Sequence, residues 1–189
     1  MERNERNEQL NEVLNDLIRI NHDRIEGYEK AIEETKDKDV DLQAVFHRMA
    51  DESKQYASEL QQKVQRTGGD VAEGTTVSGK IYRVWMDIKA AFTGKGRTSV
   101  LESCEYGEDA AQRAYDEALR SDASLPADIR QVIVNQKAAL KQSHDTIKQY
   151  RDMHRAMKDN DNDTDRSDYR SDSSDRNRTD YRSDSDMAR

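Results

Sequence analysis

The chain has 189 residues, of which 37% are charged and 33% hydrophobic, and its formal net charge is −8. This acidic balance argues against nucleic acid as the main ligand, because binding to a phosphate backbone needs a cationic surface. The sequence has no apolar leader and no apolar run of membrane-spanning length, and its single cysteine cannot form an internal disulfide. We therefore expect a cytoplasmic protein that binds neither membranes nor nucleic acid.

Two amphipathic helices are predicted in the first part of the chain. Apolar residues recur on one helical face between about residues 8 and 36, and a second stripe runs from Leu42 to Val64. The pair Gly68-Gly69 is expected to end the second helix, since glycine is the common residue just past a helix C-terminus. Only a short charged segment links the two helices, so we predict that they are antiparallel neighbours.

A second helical hairpin is predicted after a long connection. Apolar stripes define helix three between Val100 and Ala118 and helix four between Ile129 and Tyr150, joined by the short segment SDASLPAD. The connection before helix three contains SGKIYRVWMDIKAAF, which can form a short helix. A connection of this length can run the length of a bundle, as the one long crossover of ferritin-like bundles does. We therefore predict an all-α, ferritin-like four-helix bundle.

The composition changes abruptly after residue 157. The stretch 158–189 is rich in Asp, Ser and Arg and has almost nothing to bury, so it cannot offset the entropy cost of ordering. We predict two regions, a bundle over residues 1–157 and a disordered low-complexity tail over residues 158–189. A solvating role for the tail is favoured over a role as an adaptor, because its charges are mixed rather than cationic.

Helix three crowds four carboxylates into the segment ESCEYGED. Projection at 100° per residue places Glu108 within the apolar stripe and Glu105 at its edge, whereas Glu102 and Asp109 point away. A carboxylate in a bundle core needs an ion, a base or hydrogen bonds in order to stay charged. Glu108 is therefore the most informative single residue of the sequence.

Other helices also direct polar side chains toward the predicted core. Asn21, Ser53 and Gln136 fall within apolar stripes and Arg24 falls on the edge of one. His144 lies near a stripe, Glu52 on a flank, and Asp23 on the outer half of helix one. Glu108 can thus form a structural bond with Arg24, Asn21 or His144 that fixes the bundle register.

The alternative is a metal or proton-transfer site. Its ligands would be Glu108, Glu105 and His144, with Glu52 or Asp23, and its metal would be iron or manganese. Carboxylate-bridged di-iron bundles carry a Glu-x-x-His motif on each of two helices, and no such motif occurs in this sequence. A standard di-iron ferroxidase is therefore disfavoured.

Four segments resemble a family. LNDLIRINHDRIEGYEKAIEE, YRVWMDIKAAFTG, VLESCEYGEDAAQRAYDEAL and QSHDTIKQYRD are similar to a bacterial family of ferritin-like four-helix bundles that carries a domain-of-unknown-function label. The resemblance implies the ferritin-like bundle, a bacterial cytoplasmic location and a link to stress. The chain departs from the family where Tyr82 replaces an expected histidine and where Tyr106 replaces an expected arginine. The loss of that histidine removes one candidate ligand and weakens the metal hypothesis.

These observations support two hypotheses about function. The first is a non-enzymatic bundle that serves in stress physiology by binding or self-association, as a homo-oligomer whose protein partner is unknown. The second is a metal-binding bundle with redox or metal-storage activity that uses the helix-three carboxylates.

Overall fold

The computed structural model describes residues 2–35, 39–74 and 96–175, and these residues contain four helices and no strand. The helices are α1 (Glu2–Thr35), α2 (Val40–Arg66), α3 (Arg97–Arg120) and α4 (Ala127–Asp175). The predicted all-helical fold is confirmed, whereas the short helix predicted before α3 lies outside the described residues. Within these ranges, no helix combines the length and the apolar character that crossing a bilayer requires. The chain divides into two compact units, residues 1–151 and residues 152–189.

In the first unit, α1 and α2 form the predicted antiparallel hairpin. The Arg24 guanidinium of α1 donates to the Ser53 hydroxyl of α2 over 2.8 Å. Near the start of α1, Asn11 accepts a hydrogen bond from Thr67, which directly follows the end of α2. An earlier residue of one helix thus meets a later residue of the other.

Helix α3 is antiparallel to α1 and therefore parallel to α2. Asn21 donates to the Tyr115 hydroxyl over 2.8 Å, whereas the later residue Arg24 donates to the earlier residue Glu108. At the first residue of α3, Arg97 forms an ion pair of 3.1 Å with Asp41 in the first turn of α2. Helices α2 and α3 therefore begin at the same end of the bundle.

Helix α4 completes the bundle as the antiparallel neighbour of both α2 and α3. Lys63 near the end of α2 pairs with Asp128 near the start of α4 over 2.7 Å. Further along α4, Ser143 donates to Glu52 over 3.4 Å. The four helices thus run up, down, down and up.

A polar layer divides the core of this unit into two apolar clusters. One cluster contains residues from Leu10 to Ile20 of α1 and Leu140 of α4, and the other begins at Tyr28 of α1 and includes Ile147 of α4. Buried polar residues occupy the level between the clusters on every helix, namely Asn21, Asp23, Arg24, Ser53, Glu108 and Ser143.

The end of α2 follows the glycine rule used for the prediction. Gly68 adopts the left-handed conformation, with φ of 74°, and its amide donates to the Gln65 carbonyl over 3.1 Å. The Gly69 amide donates to the Val64 carbonyl over 3.0 Å. These two bonds define a Schellman motif, which stops the helix and satisfies two of its last carbonyls.

After α2, the chain runs along α1 in the direction of α1 as far as Gly74. Asn15 donates to the Asp70 carbonyl over 2.9 Å and accepts a hydrogen bond from the Ala72 amide over 2.8 Å. About two turns further on, His22 Nδ1 lies 2.7 Å from the Gly74 carbonyl oxygen. The Asn15 side chain thus bonds one carbonyl and one amide of this segment, as the backbone of a neighbouring β-strand would.

The second unit contains the C-terminal part of α4, which extends to Asp175. Residues 158–175 are therefore helical, although the composition of this stretch predicts disorder. The sequence contains no glycine or proline between residues 127 and 175, so no residue type that terminates a helix interrupts α4. Residues 176–189 lie outside the described residues, and the disorder predicted for the tail stays a prediction.

Candidate functional site

The centre of the polar layer is an ion pair between Arg24 of α1 and Glu108 of α3. Arg24 is 4% exposed and Glu108 is 1% exposed, so both charges are withdrawn from water. The Arg24 Nη2 and Nε atoms donate to Glu108 Oε1 over 2.6 and 3.2 Å. Tyr28, one turn beyond Arg24 on α1, donates its hydroxyl hydrogen to the same carboxylate oxygen. Three donors therefore converge on Glu108 Oε1.

The remaining donors of Arg24 extend this network to α2. Nη1 donates to the Ser53 hydroxyl over 2.8 Å, and that hydroxyl donates to the Met49 carbonyl of its own helix over 2.7 Å. The guanidinium carbon also lies 5.7 Å from the centre of the Tyr28 ring, within range of a cation–π contact. Arg24 is thus held by hydrogen bonds on two sides and by an aromatic face.

A second hydrogen-bond network lies next to the apolar cluster that contains Leu10 to Ile20. It includes residues of all four helices. Asn21 of α1 donates to the Tyr115 hydroxyl of α3, which donates to Gln136 of α4 over 2.8 Å. Gln136 in turn donates to the Glu59 carboxylate of α2 over 2.9 Å. The hydroxyl of Tyr115 is therefore both a donor and an acceptor, as a buried phenol requires.

Burial and the charge of Glu108 govern the protonation of the groups around it. Burial and the nearby Glu108 carboxylate raise the pKa of Tyr28 well above 10.0, and the same two causes raise the pKa of the Cys104 thiol. Burial alone would lower the pKa of Arg24, but attraction and hydrogen bonding to Glu108 outweigh burial and raise it. Burial is also the main reason why the pKa of Tyr115 is raised. The two phenols and the thiol are therefore neutral at neutral pH, beside the ion pair of Arg24 and Glu108.

Among the predicted metal ligands, Glu108 lies in one set of contacts, and Glu105 and His144 lie in another. Glu108 is bonded to Arg24, as described above. His144 Nε2 of α4 lies 3.2 Å from Asp109 Oδ1 and 3.9 Å from Glu105 Oε1 of α3, so Glu105 and His144 are neighbours. Glu105 is also ion-paired with Arg151 of α4. The contacts of His144 between α3 and α4 are thus separate from the hydrogen bonds of Glu108.

The other two predicted ligands are Glu52 and Asp23. Glu52 contacts Ser143 across the bundle and lies 3.9 Å from Arg48 of its own helix. Asp23 is buried, so its predicted place on the outer half of α1 is wrong. The reason is that Ile20 and Asp23 extend the buried face of α1 beyond the single apolar stripe used for projection. Among the described residues, no group of three or more His, Cys, Asp and Glu side chains is arranged to hold a metal ion.

Sequence reasoning identified Glu108, Arg24, Asn21 and Gln136, but it missed the two tyrosine hydroxyls. Tyr28 and Tyr115 were counted only as apolar members of their stripes, although a buried phenol needs a hydrogen-bond partner. A polar residue in the apolar stripe of another helix, such as Glu108 in α3, could have indicated a hydrogen-bond partner for a buried tyrosine of α1. The clamp formed by Asn15 has no such signal, because its partners are backbone groups.

The fold and this site define an all-helical bundle with a buried ion pair between its two hairpins. The family model described as Domain of unknown function (DUF2383) matches residues 9–121, so the chain belongs to that family. The matched range contains Asn21, Arg24, Tyr28, Glu108 and Tyr115, and it ends before α4. A comparison with curated proteins finds no match.

Proposed function

We propose that this protein is a ferritin-like bundle that acts by binding and self-association, with a structural ion pair in its core in place of a metal site. The direction of the helices supports the ferritin-like architecture. Helices α2 and α3 start at the same end of the bundle, as they do when a single long crossover joins two antiparallel hairpins.

The engagement of Glu108 by Arg24 is the observation that carries this proposal. A metal ion bound to Glu108 would lie beside a buried guanidinium, and like charges repel strongly where water is excluded. The hydroxyls of Tyr28 and Ser53 are also committed to this pair. The donor set therefore suits a carboxylate that is neutralised by arginine, and it does not suit a metal centre.

The metal-binding hypothesis remains as a second candidate, and the contacts of His144 are its best support. Glu105 and Asp109 are one turn apart on α3, and both approach the Nε2 atom of His144. The pairing of Glu105 with Arg151 opposes this hypothesis, since a metal would have to compete with a second guanidinium. Iron or manganese would be the metal in this case.

Elemental mass spectrometry separates the two candidates. The full chain would be exposed anaerobically to Fe(II), Mn(II) or Zn(II), desalted and analysed beside the Glu108→Gln and His144→Ala variants. We expect the same trace metal content in all three proteins. Stoichiometric metal in the parent protein that is lost in either variant would contradict the proposal and establish the metal-binding alternative.

Self-association is tested by sedimentation velocity over a range of protein concentrations. We expect species heavier than the 21.8 kDa of one chain, with a population that rises with concentration. A mass of one chain at every concentration would contradict self-association.

The cellular setting is a separate part of the proposal. The bacterial origin, the cytoplasmic location and the role in stress derive from the family resemblance. Quantifying the protein in cells before and after osmotic, oxidative and heat stress would test the last of these. An abundance that stays constant under all three treatments would argue against a stress function.

A further inference from the structure

A cavity of about 200 Å³ lies between α1 and α3, near the C-terminal end of α3. Three residues of α1 and four residues of α3 or its C-terminal cap line this cavity, namely Val13, Asp16, Leu17, Ala114, Glu117, Ala118 and Ser121. The residues from each helix are three or four positions apart, so each set lies on one helical face. None of them belongs to the two hydrogen-bond networks described above.

The floor of the cavity is apolar. Leu17, Ala114 and Ala118 are at most 6% exposed and belong to one of the two apolar clusters, against which Val13 also packs. Because alanine ends at its Cβ atom, α3 presents no apolar side chain long enough to fill the space beside Leu17. An apolar cavity of about 150 Å³ can hold a benzene molecule in a protein. The cavity between α1 and α3 therefore has room for an apolar group of about that size.

Two carboxylates line the cavity together with these apolar groups, one from each helix. Asp16 is 68% exposed, and its charge is balanced by Arg19, whose Nη1 atom lies 2.9 Å from Asp16 Oδ1. Glu117 is exposed and has no ion-pair partner within the described ranges of the chain. The cavity thus carries one uncompensated negative charge, that of Glu117.

The end of α3 adds to this negative character. The hydroxyl of Ser121 donates its hydrogen to the Ala118 carbonyl over 2.8 Å, so the hydroxyl oxygen can still accept a hydrogen bond. The last turn of α3 includes Glu117, and the C-terminal end of a helix carries a partial negative charge. A cation beside Glu117 and Ser121 would therefore interact with a carboxylate, a hydroxyl oxygen and the end of the helix dipole.

We propose that this cavity binds a small organic cation with one positive charge and an apolar body, such as a protonated alkyl or aralkyl amine. The apolar body contacts Leu17, Ala114 and Ala118, and the ammonium group donates to Glu117 and Ser121. One positive charge matches the one uncompensated carboxylate. A bare metal ion would make no use of the apolar floor, and an anion would be repelled. The proposal goes beyond the proposed function, because the cavity lies within one chain and requires neither self-association nor a metal.

Methyl NMR of the full chain, with benzylammonium as the probe, tests the binding and its location. The phenyl ring of the probe shifts the resonances of nearby methyl groups, and Val13, Leu17, Ala114 and Ala118 all carry methyl groups at the cavity. We expect saturable shifts at these residues, with a dissociation constant on the order of 1 mM for so small a ligand. The methyl group of Ala138, which is exposed on α4, is the reference. Shifts that do not saturate, or that are equally large at Ala138, would overturn the proposal.

Two probes of similar size separate the role of charge from the role of shape. Benzyl alcohol is neutral and should bind about two- to fivefold more weakly than benzylammonium, in line with the strength of an exposed ion pair. Benzoate should bind more weakly than the alcohol. High salt should bring the affinities of the ammonium and the alcohol together, because it screens the exposed carboxylate. Equal affinities at low salt would overturn the proposal, since the cavity would then select only an apolar shape.

Three variants assign the effect to residues. Glu117→Gln should abolish the preference for the ammonium and leave the affinity for benzyl alcohol unchanged. Glu12→Gln is the matched control, because Glu12 is exposed on α1 beside Val13 and does not line the cavity. Val13→Phe should fill the cavity from its half-buried edge and prevent both probes from binding. If Val13→Phe does not fold, the comparison of the two glutamine variants decides, and an equal loss of preference in both would overturn the proposal.

The outcomes also distinguish this proposal from self-association. A chain that sediments as a single molecule and binds benzylammonium at the cavity would support the proposal and contradict self-association. Cavity methyl resonances that shift with protein concentration in the absence of a probe would show that a second copy covers the cavity. That result would overturn the proposal and support self-association.

Discussion

Replacing Arg24 by methionine should destabilise the protein strongly, because it leaves the Glu108 carboxylate buried without its cation. Arg24 supplies two of the three hydrogen bonds that Glu108 Oε1 accepts, over 2.6 and 3.2 Å, and Tyr28 supplies the third. Removing one partner of a buried ion pair costs about 3–5 kcal/mol. With a urea dependence of about 2 kcal/mol per molar, the unfolding midpoint should fall by about 1.5 to 2.5 M.

The double variant Arg24→Met with Glu108→Leu isolates the cause of this loss. It removes both charges and fills the site with apolar groups, so its cost should be well below that of Arg24→Met alone. Apolar replacement of a buried ion pair is often neutral or even stabilising. Urea unfolding followed by circular dichroism would give the free energies of unfolding for Arg24→Met, Glu108→Leu and the double variant. The change in the double variant minus the sum of the two single changes is the coupling.

Arg19 provides a matched control on the same helix. Its guanidinium forms an ion pair of 2.9 Å with Asp16 at the surface, where the two side chains are 35% and 68% exposed. Arg19→Met should therefore change the free energy of unfolding by no more than about 0.5 kcal/mol. If Arg24→Met costs no more than Arg19→Met, or if the double variant is as unstable as Arg24→Met, the central role of the buried pair is refuted.

Three further predictions concern the surroundings of this pair. Burial raises the folded pKa of Tyr28, Tyr115 and Cys104, so unfolding releases protons at alkaline pH. The contribution of each group to the free energy of unfolding should be complete below the ordinary pKa of that group. Above about pH 10 the free energy of unfolding should fall by about 1.4 kcal/mol per pH unit for each tyrosine. A urea midpoint that stays constant between pH 9 and 11 would contradict this. Asn15→Ala should speed amide exchange of the segment after α2 and cost about 1 kcal/mol, because the half-buried Ala72 amide and the exposed Asp70 carbonyl lose their partner; unchanged exchange would refute the clamp. Gly68→Ala should cost about 1 kcal/mol by thermal unfolding, since φ is 74° there, whereas no change would show that the turn relaxes.

The sequence was sufficient to predict which face of a helix is buried, but not which residues meet across the core. Projection placed Glu108 in the stripe of α3, and its burial confirms this. It left Arg24, Asn21 and His144 as alternative partners, because the level at which two helices meet depends on their offset along the bundle axis. That offset is set by the connections and by packing, which a single helix does not encode. The structure pairs Glu108 with Arg24 and leaves His144 on the seam between α3 and α4.

The wrong placement of Asp23 has a physical origin. Asp23 was assigned to the outer half because projection assumed one stripe per helix, whereas α1 is covered on more than one side.

The position of the ion pair between the hairpins is more informative than its contribution to stability. A buried pair of charges adds little net stability, because desolvation offsets most of the attraction. Two apolar stripes, however, can be matched in more than one register. A shift of α3 by one turn toward its own N-terminus would move Glu108 away from Arg24 and toward the apolar cluster that contains Phe46, where a carboxylate would lack its cation. The pair thus penalises wrong registers more than it stabilises the right one.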